Sequence, residues 1–233
     1  QKIYCLVRAS DNHAALERLK TNMTKHVLWK PEYEERIICL AGNLEEACFG
    51  LPADVYAEIV KNIAFVYHIA ANVSWVLSYA SLEAVNVVGT KNAIILANAS
   101  GAQLAYVSSI GVQHRNQWQT ARAFDENVFP SQGDHLLGYL RTKWVSEKLI
   151  FDAIKHGVSC YVFRPPFICE GEGAHGGLSK DDFMLNKIQA SVELGSIPTE
   201  GFYLDMYPAD VLAANMVAIV GKKQYHNRVF QLT

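Results

Sequence analysis

The sequence lacks most of the marks of a membrane, metal or nucleic-acid protein. No apolar run reaches the roughly 18 residues that a membrane-spanning helix needs. The formal charge is only −2, without a basic stripe, which argues against a nucleic-acid footprint. The five cysteines are scattered, with no Cys-x-x-Cys pair. Three of them, Cys5, Cys39 and Cys160, fall in apolar runs where a buried thiol is the default, so a reducing cytoplasmic setting is expected. There is no His-Glu-x-x-His and no Cys/His cluster at zinc spacing. Gly-x-Ser-x-Gly is absent, which removes the hydrolase elbow, and so is a Gly-x-x-x-x-Gly-Lys phosphate loop. No leader peptide is expected, since Gln1 opens directly on a strand pattern.

What remains is an ordinary globular composition, half hydrophobic and about a fifth charged, at a length that suits one large α/β domain. Short apolar runs predict strands at 2–7, 36–40, 63–68, 103–108, 158–163 and 229–232. Helices are predicted between them. One is capped by Ser10 or Asp11 and runs to about 25, and another is opened by Pro52. A third covers 81–99 and ends at Gly101, and a fourth covers 136–154. Further helices are predicted at 181–194 and 209–220, with a polar loop over 114–133 and a glycine-rich turn over 171–177. Almost wholly apolar strands alternating with helices imply a parallel sheet covered on both faces. In such sheets ligands lie at the carboxyl ends of the strands, where Arg8, Asn43, His68, Ser109 and Arg164 fall.

Tyr139 and Lys143 stand four apart on the 136–154 helix, hence on one face. Chance alone supplies roughly 0.6 such pairs in a chain with this much Tyr and Lys, so context must decide. An ammonium near a phenol favours phenolate and lowers its pKa, and a strand-end Ser109 hydroxyl can face the same carbonyl oxygen. That trio suits reversible proton delivery to a carbonyl while a cofactor supplies hydride.

Further stretches are Cys5-Leu6-Val7-Arg8-Ala9, Phe49-Gly50-Leu51-Pro52 and His68-Ile69-Ala70-Ala71-Asn72-Val73. Asn86-Val87-Val88-Gly89-Thr90, Tyr106-Val107-Ser108-Ser109, Tyr139 through Glu147 and Phe163-Arg164-Pro165 complete the set. In order and spacing over nearly the whole chain, the sequence resembles an extended short-chain dehydrogenase/reductase. More narrowly, it resembles the thioester reductase domains of nonribosomal peptide synthetases and of carboxylic acid and aminoadipate reductases. Leu-Val-Arg-Ala and Thr-Lys-Trp-Val-Ser-Glu favour this group over sugar-nucleotide epimerases.

The resemblance implies a Rossmann-like doubly wound α/β fold. Residues 1–165 would form an NADP-binding domain and 166–233 a substrate-binding region with segments returning to the sheet. Ser109, Tyr139 and Lys143 would be catalytic. Arg8 would bind the 2′-phosphate of NADPH, where a guanidinium fits and a carboxylate would favour NAD. Asn43 and Leu44 would lie beside the adenine, although the family usually has Asp at position 43. Ala70 and Ala71 would let the backbone approach the cofactor, and Pro165 would pack near the nicotinamide. Asn86, Ser108 and Ile168 complete the cofactor-binding set with Tyr139 and Lys143. The implied partner is an acyl or peptidyl carrier protein bearing a phosphopantetheine thioester, with no nucleic acid or membrane involved.

One departure matters most. The family opens with a strand and a Gly-x-x-Gly-x-x-Gly loop that holds the pyrophosphate, and this chain has neither. The resemblance thus implies a segment of a longer protein and a sheet lacking its central strand. Two other readings remain: an extended reductase or epimerase acting on a sugar nucleotide or small carbonyl compound, and a non-catalytic scaffold that keeps the fold.

Overall fold

The computed structural model describes residues 2–113, 126, 137–171, 183–197 and 205–232. Eight described strands fall into three parallel sheets. β1 (Ile3–Val7) pairs with β2 (Ile37–Ala41). β3 (Phe65–His68), β4 (Gln103–Val107), β5 (Cys160–Arg164) and β8 (Arg228–Gln231) form a four-stranded sheet in that order. The short β6 (Phe167–Cys169) and β7 (Met206–Pro208) pair separately. Three residues each, they are too short to show a period, and the sequence did not reveal them.

The expected parallel sheet is present, in two pieces. β1 is joined only to β2, and β3 only to β4, so one ladder edge of each is unpaired among the described strands. The exposure is graded accordingly: β5 is buried throughout, whereas Ile3, Phe65 and Tyr67 are exposed.

Alternation along β4 and β5 builds two cores. Leu104, Tyr106, Cys160 and Val162 face Ala93 and Ala97 of α4 (Gly89–Ser100) and Ile150 and Ala153 of α5 (Gly138–Lys155). Ala105, Val107, Tyr161 and Phe163 face Leu212 and Met216 of α7 (Ala209–Ile219). A strand whose every side chain is buried must be apolar on both faces, as the run at β5 is. Truncating Phe163 to Ala would cost about 3–5 kcal/mol.

The helices begin and end where their caps dictate. Asp11 accepts from the Ala14 N–H at 2.8 Å and starts α1 (Asn12–Lys25). Pro52 precedes α2 (Ala53–Asn62). The predicted 81–99 helix is in fact α3 (Tyr79–Glu83), a π-helical turn (Ala84–Val88) and α4. α4 ends at Gly101, at φ 67°. π turns inside helices often mark functional sites, and this one carries Asn86. α6 (Phe183–Leu194) lies within the expected 181–194. The 114–133 loop lies outside the described residues except for Glu126, and the 171–177 turn except for Gly171.

Candidate active site

Two clusters form on the strand-end side. The first is a pocket of about 460 Å³ lined by Leu6, Arg8, Arg18, Gly42, Leu44, Ala70, Ala71, Asn72, Val73 and Val85. Of the sequence candidates, Arg8, Leu44, Ala70 and Ala71 therefore meet here. Asn43 does not line it. Its amide is spent locally, donating to Glu46 Oε1 and accepting from the Glu45 N–H. Arg8 pairs with Glu45 at 3.1 Å, an exposed contact.

Arg18 was missed by sequence reasoning. It projects from α1 and donates to the Arg8 carbonyl at 2.6 Å, which brings a second guanidinium to the same pocket. The available signal was weak: a lone cation ten residues on, inside a helix whose cap was legible. The lining thus combines the small side chains of Ala70 and Ala71 with two guanidiniums, which can hold an anion.

The second cluster surrounds α5. Gly138, its first residue, packs so tightly on the preceding chain that a Cβ would lie 2.5 Å from the Leu77 carbonyl oxygen. Only glycine allows that approach, and it fixes where the helix begins. Tyr139 is buried, with Trp75 6.3 Å away; Trp75 in turn stacks on Phe167. Trp75 also lines a cleft of about 290 Å³ with Leu77, Tyr79, Gly138 and Arg141. Lys143 is buried one turn along. Its ammonium donates to the Val107 carbonyl at 2.8 Å and lies 5.1 Å from the Tyr106 ring and 5.9 Å from the Tyr139 ring.

Burial outweighs the expected effect of the ammonium on the phenol. Tyr139 is pushed up to about 12 by desolvation. Lys143 is pulled down to about 8 by its own burial, against a raising effect of Glu147. The ammonium points to the Val107 carbonyl, and in this state the pair does not favour phenolate.

Ser109 follows β4, two residues beyond the carbonyl that holds Lys143. Its hydroxyl accepts from the Gly111 N–H at 3.2 Å, and Ile110 N–H donates to the Pro165 carbonyl at 3.0 Å. The Ser109 turn is thereby tied to the turn after β5. Ser108 Oγ is buried without a hydrogen-bond partner. Ile168 sits partly exposed on β6.

Asn86 acts as a structural clamp. Its side chain accepts from the Asn72 N–H (2.8 Å) and donates to the Asn72 carbonyl (3.1 Å) and to Thr142 Oγ1 (2.9 Å). Asn72 lines the nucleotide pocket and Thr142 precedes Lys143, so one amide joins both clusters. His68 lies behind them. Thr90 donates its hydroxyl proton to the Asn86 carbonyl at 2.6 Å, so it must accept from His68 Nε2–H at 3.0 Å, which fixes the tautomer. Burial and the nearby Lys143 lower His68 to about 3, so it is neutral near pH 7.

The parallel sheet with helices on both faces is the fold of a Rossmann-like α/β domain. Residues 1–216 match the family described as "Male sterility protein", an NAD-binding family, and the chain belongs to it. Among similar proteins, the L-2-aminoadipate reductase large subunit of Eremothecium gossypii is 32% identical over 91% of this chain. The nonribosomal peptide synthetase asaC of Aspergillus flavus is 31% identical over 100% of it. The chain spans 16% and 23% of those two proteins. Among solved structures, the terminal R domain of the myxalamid PKS-NRPS pathway superposes with a TM-score of 0.88 at 27% identity, covering 99% of this chain and 58% of that one. An archaeal thiolation-reductase di-domain superposes at 0.81 and 22% identity, over 99% of this chain and 50% of that one, a likeness of fold.

Proposed function

We propose that the chain carries the reductase site of a larger enzyme that reduces a carrier-bound acyl or peptidyl thioester with NADPH, releasing an aldehyde. The observation that carries this reading is the buried Tyr139–Lys143 pair, linked through the Asn86 amide to a pocket bearing two guanidiniums. Kinship with a nonribosomal peptide synthetase and with an aminoadipate reductase supports the substrate class. Residues 1–165 form the NADP-binding part and 166–233 the substrate-binding region. Return of β8 to the sheet beside β5 fits the latter's mixed role.

Arg8 and Arg18 would take the 2′-phosphate, with Glu45 released from Arg8, while Leu44, Ala70 and Ala71 would border the adenosine. NADPH, when bound, supplies the hydride. Ser109 and Tyr139 would stabilise the oxyanion that develops on the thioester carbonyl, and Tyr139 would hold the proton for it. A bound cofactor and substrate would draw Lys143 from the Val107 carbonyl towards the ribose and the phenol. Release of the pantetheine thiol then leaves the aldehyde, and a second hydride would give an alcohol.

The test is NADPH oxidation by the full-length protein with an acyl-pantetheine thioester, with aldehyde trapped as a hydrazone. Thioester-dependent oxidation that yields hydrazone is expected. Equal use of NADH, or turnover only with a sugar nucleotide, would overturn the reading.

A further inference from the structure

Glu147 and Arg164 are the most deeply buried charges among the described residues, each with no exposed side-chain surface. Arg164 donates from Nε to Glu147 Oε1 at 2.9 Å and from Nη2 to Oε2 at 2.6 Å, a bidentate clamp between α5 and the end of β5. Its remaining Nη1 is buried without a partner. Stability is a poor reason for such a pair, because apolar residues of similar volume commonly do as well or better. Its location supplies another reason. Glu147 is one helical turn from Lys143, on the same face.

We infer that Glu147, clamped by Arg164, is a positioning residue that keeps Lys143 charged and thereby sets the pH range in which Tyr139 can deliver its proton. It rests on the proposed role of Tyr139. The groups around the ammonium leave Glu147 as its only buried anion among the described residues. From α5 it faces Glu147 and the neutral Tyr139. From β4 it faces the Val107 carbonyl and the Tyr106 ring, whose phenol is held well above its ordinary pKa by burial and by Glu147. From β3 comes His68, neutral and stacked on Tyr106 at 5.7 Å. From β5 comes Arg164, whose positive charge acts through Glu147. Without Glu147, two buried cations would be left in one neighbourhood and the ammonium would be the one to lose its proton. Without Arg164, the carboxylate would be left to the ammonium alone.

The two single variants must therefore act in opposite directions. In the full-length protein, Glu147→Gln should move the alkaline limb of kcat/KM down by about one to two pH units, with activity recovered at lower pH. Arg164→Gln should move it up, and the double variant should return it close to the wild-type position. A pair that only braces the fold would lower the melting temperature and leave the limb in place. An unmoved limb in whichever single variant folds overturns the inference. So does failure of both singles to fold, because the pair would then be a structural requirement. The Lys143 ¹³Cε resonance, assigned by its loss in Lys143→Met, follows the same shifts without turnover. That separates this inference from the reductase reading, which fails instead if the wild type oxidises no NADPH at any pH.

Discussion

The chain uses the same two residue types twice, in opposite surroundings. Arg8 and Glu45 meet at 3.1 Å with 65% and 35% of their side chains exposed, whereas Arg164 and Glu147 meet at 2.6 Å with none. An exposed pair is held weakly, by about 1 kcal/mol or less, and exchanges partners readily. That suits the role proposed for Arg8, which would leave a carboxylate for a phosphate. A buried pair cannot be exchanged for water without a cost of several kcal/mol per ion, so it keeps one charge pattern through every cycle. The contrast separates a binding region at the β1–β2 end from a fixed electrostatic region around α5.

Four substitutions sharpen or break that division. Lys143→Met removes the central charge of the buried region and should lower kcat by about 10²–10⁴-fold, read in steady-state NADPH oxidation. Retention of more than a tenth of the rate would contradict a fixed electrostatic role.

His68 should impose acid lability on the same region. Its folded-state pKa is about 3, below the ordinary 6.5, so the unfolded chain binds more protons between those values. Stability should therefore be complete above about pH 6.5 and fall as pH drops towards 3, by as much as ~1.4 kcal/mol per unit. Urea melts at pH 7, 5.5 and 4.5 would show that slope, and His68→Asn should flatten it. Equal slopes in the two proteins would mean the imidazole is not buried neutral.

Arg8→Ser should raise KM for NADPH about 10–100-fold, the worth of one or two charge-assisted hydrogen bonds, and leave KM for NADH unchanged. A parallel rise for both cofactors would place Arg8 outside phosphate recognition. The smallest effect belongs to Glu45→Gln. Stability should change by no more than about 0.5 kcal/mol in chemical denaturation, and KM for NADPH should fall slightly as Arg8 is freed. A loss of 2 kcal/mol or more would show that the exposed pair is structural after all.

Legibility in the sequence follows from the range of the interactions. A cap at Ser10 or Asp11, Pro52 at a helix start and Gly101 at a helix end are local chemistry and were readable, and the structure selects Asp11 as the cap. So was the shared face of Tyr139 and Lys143, because helical spacing alone sets it. The opposing effects on their pKa values were not readable, since burial is a tertiary property and here it outweighs the ammonium. Glu147 and Arg164 each fell inside recognised stretches, yet 17 residues separate them and only the packing of α5 on β5 makes them partners. Arg18 needed the turn of α1 back over Arg8, and Trp75 needed the approach of its loop to Tyr139. The π turn at Asn86 was hidden because its side chains fit an ordinary helix pattern.

The central claim is that Tyr139 delivers the proton for hydride transfer to a thioester carbonyl. Single-turnover NADPH oxidation by Tyr139→Phe in the full-length protein, with an acyl-pantetheine thioester, tests it most directly. The rate should fall about 10²–10⁴-fold with NADPH affinity preserved. A rate equal to that of the wild type would contradict it.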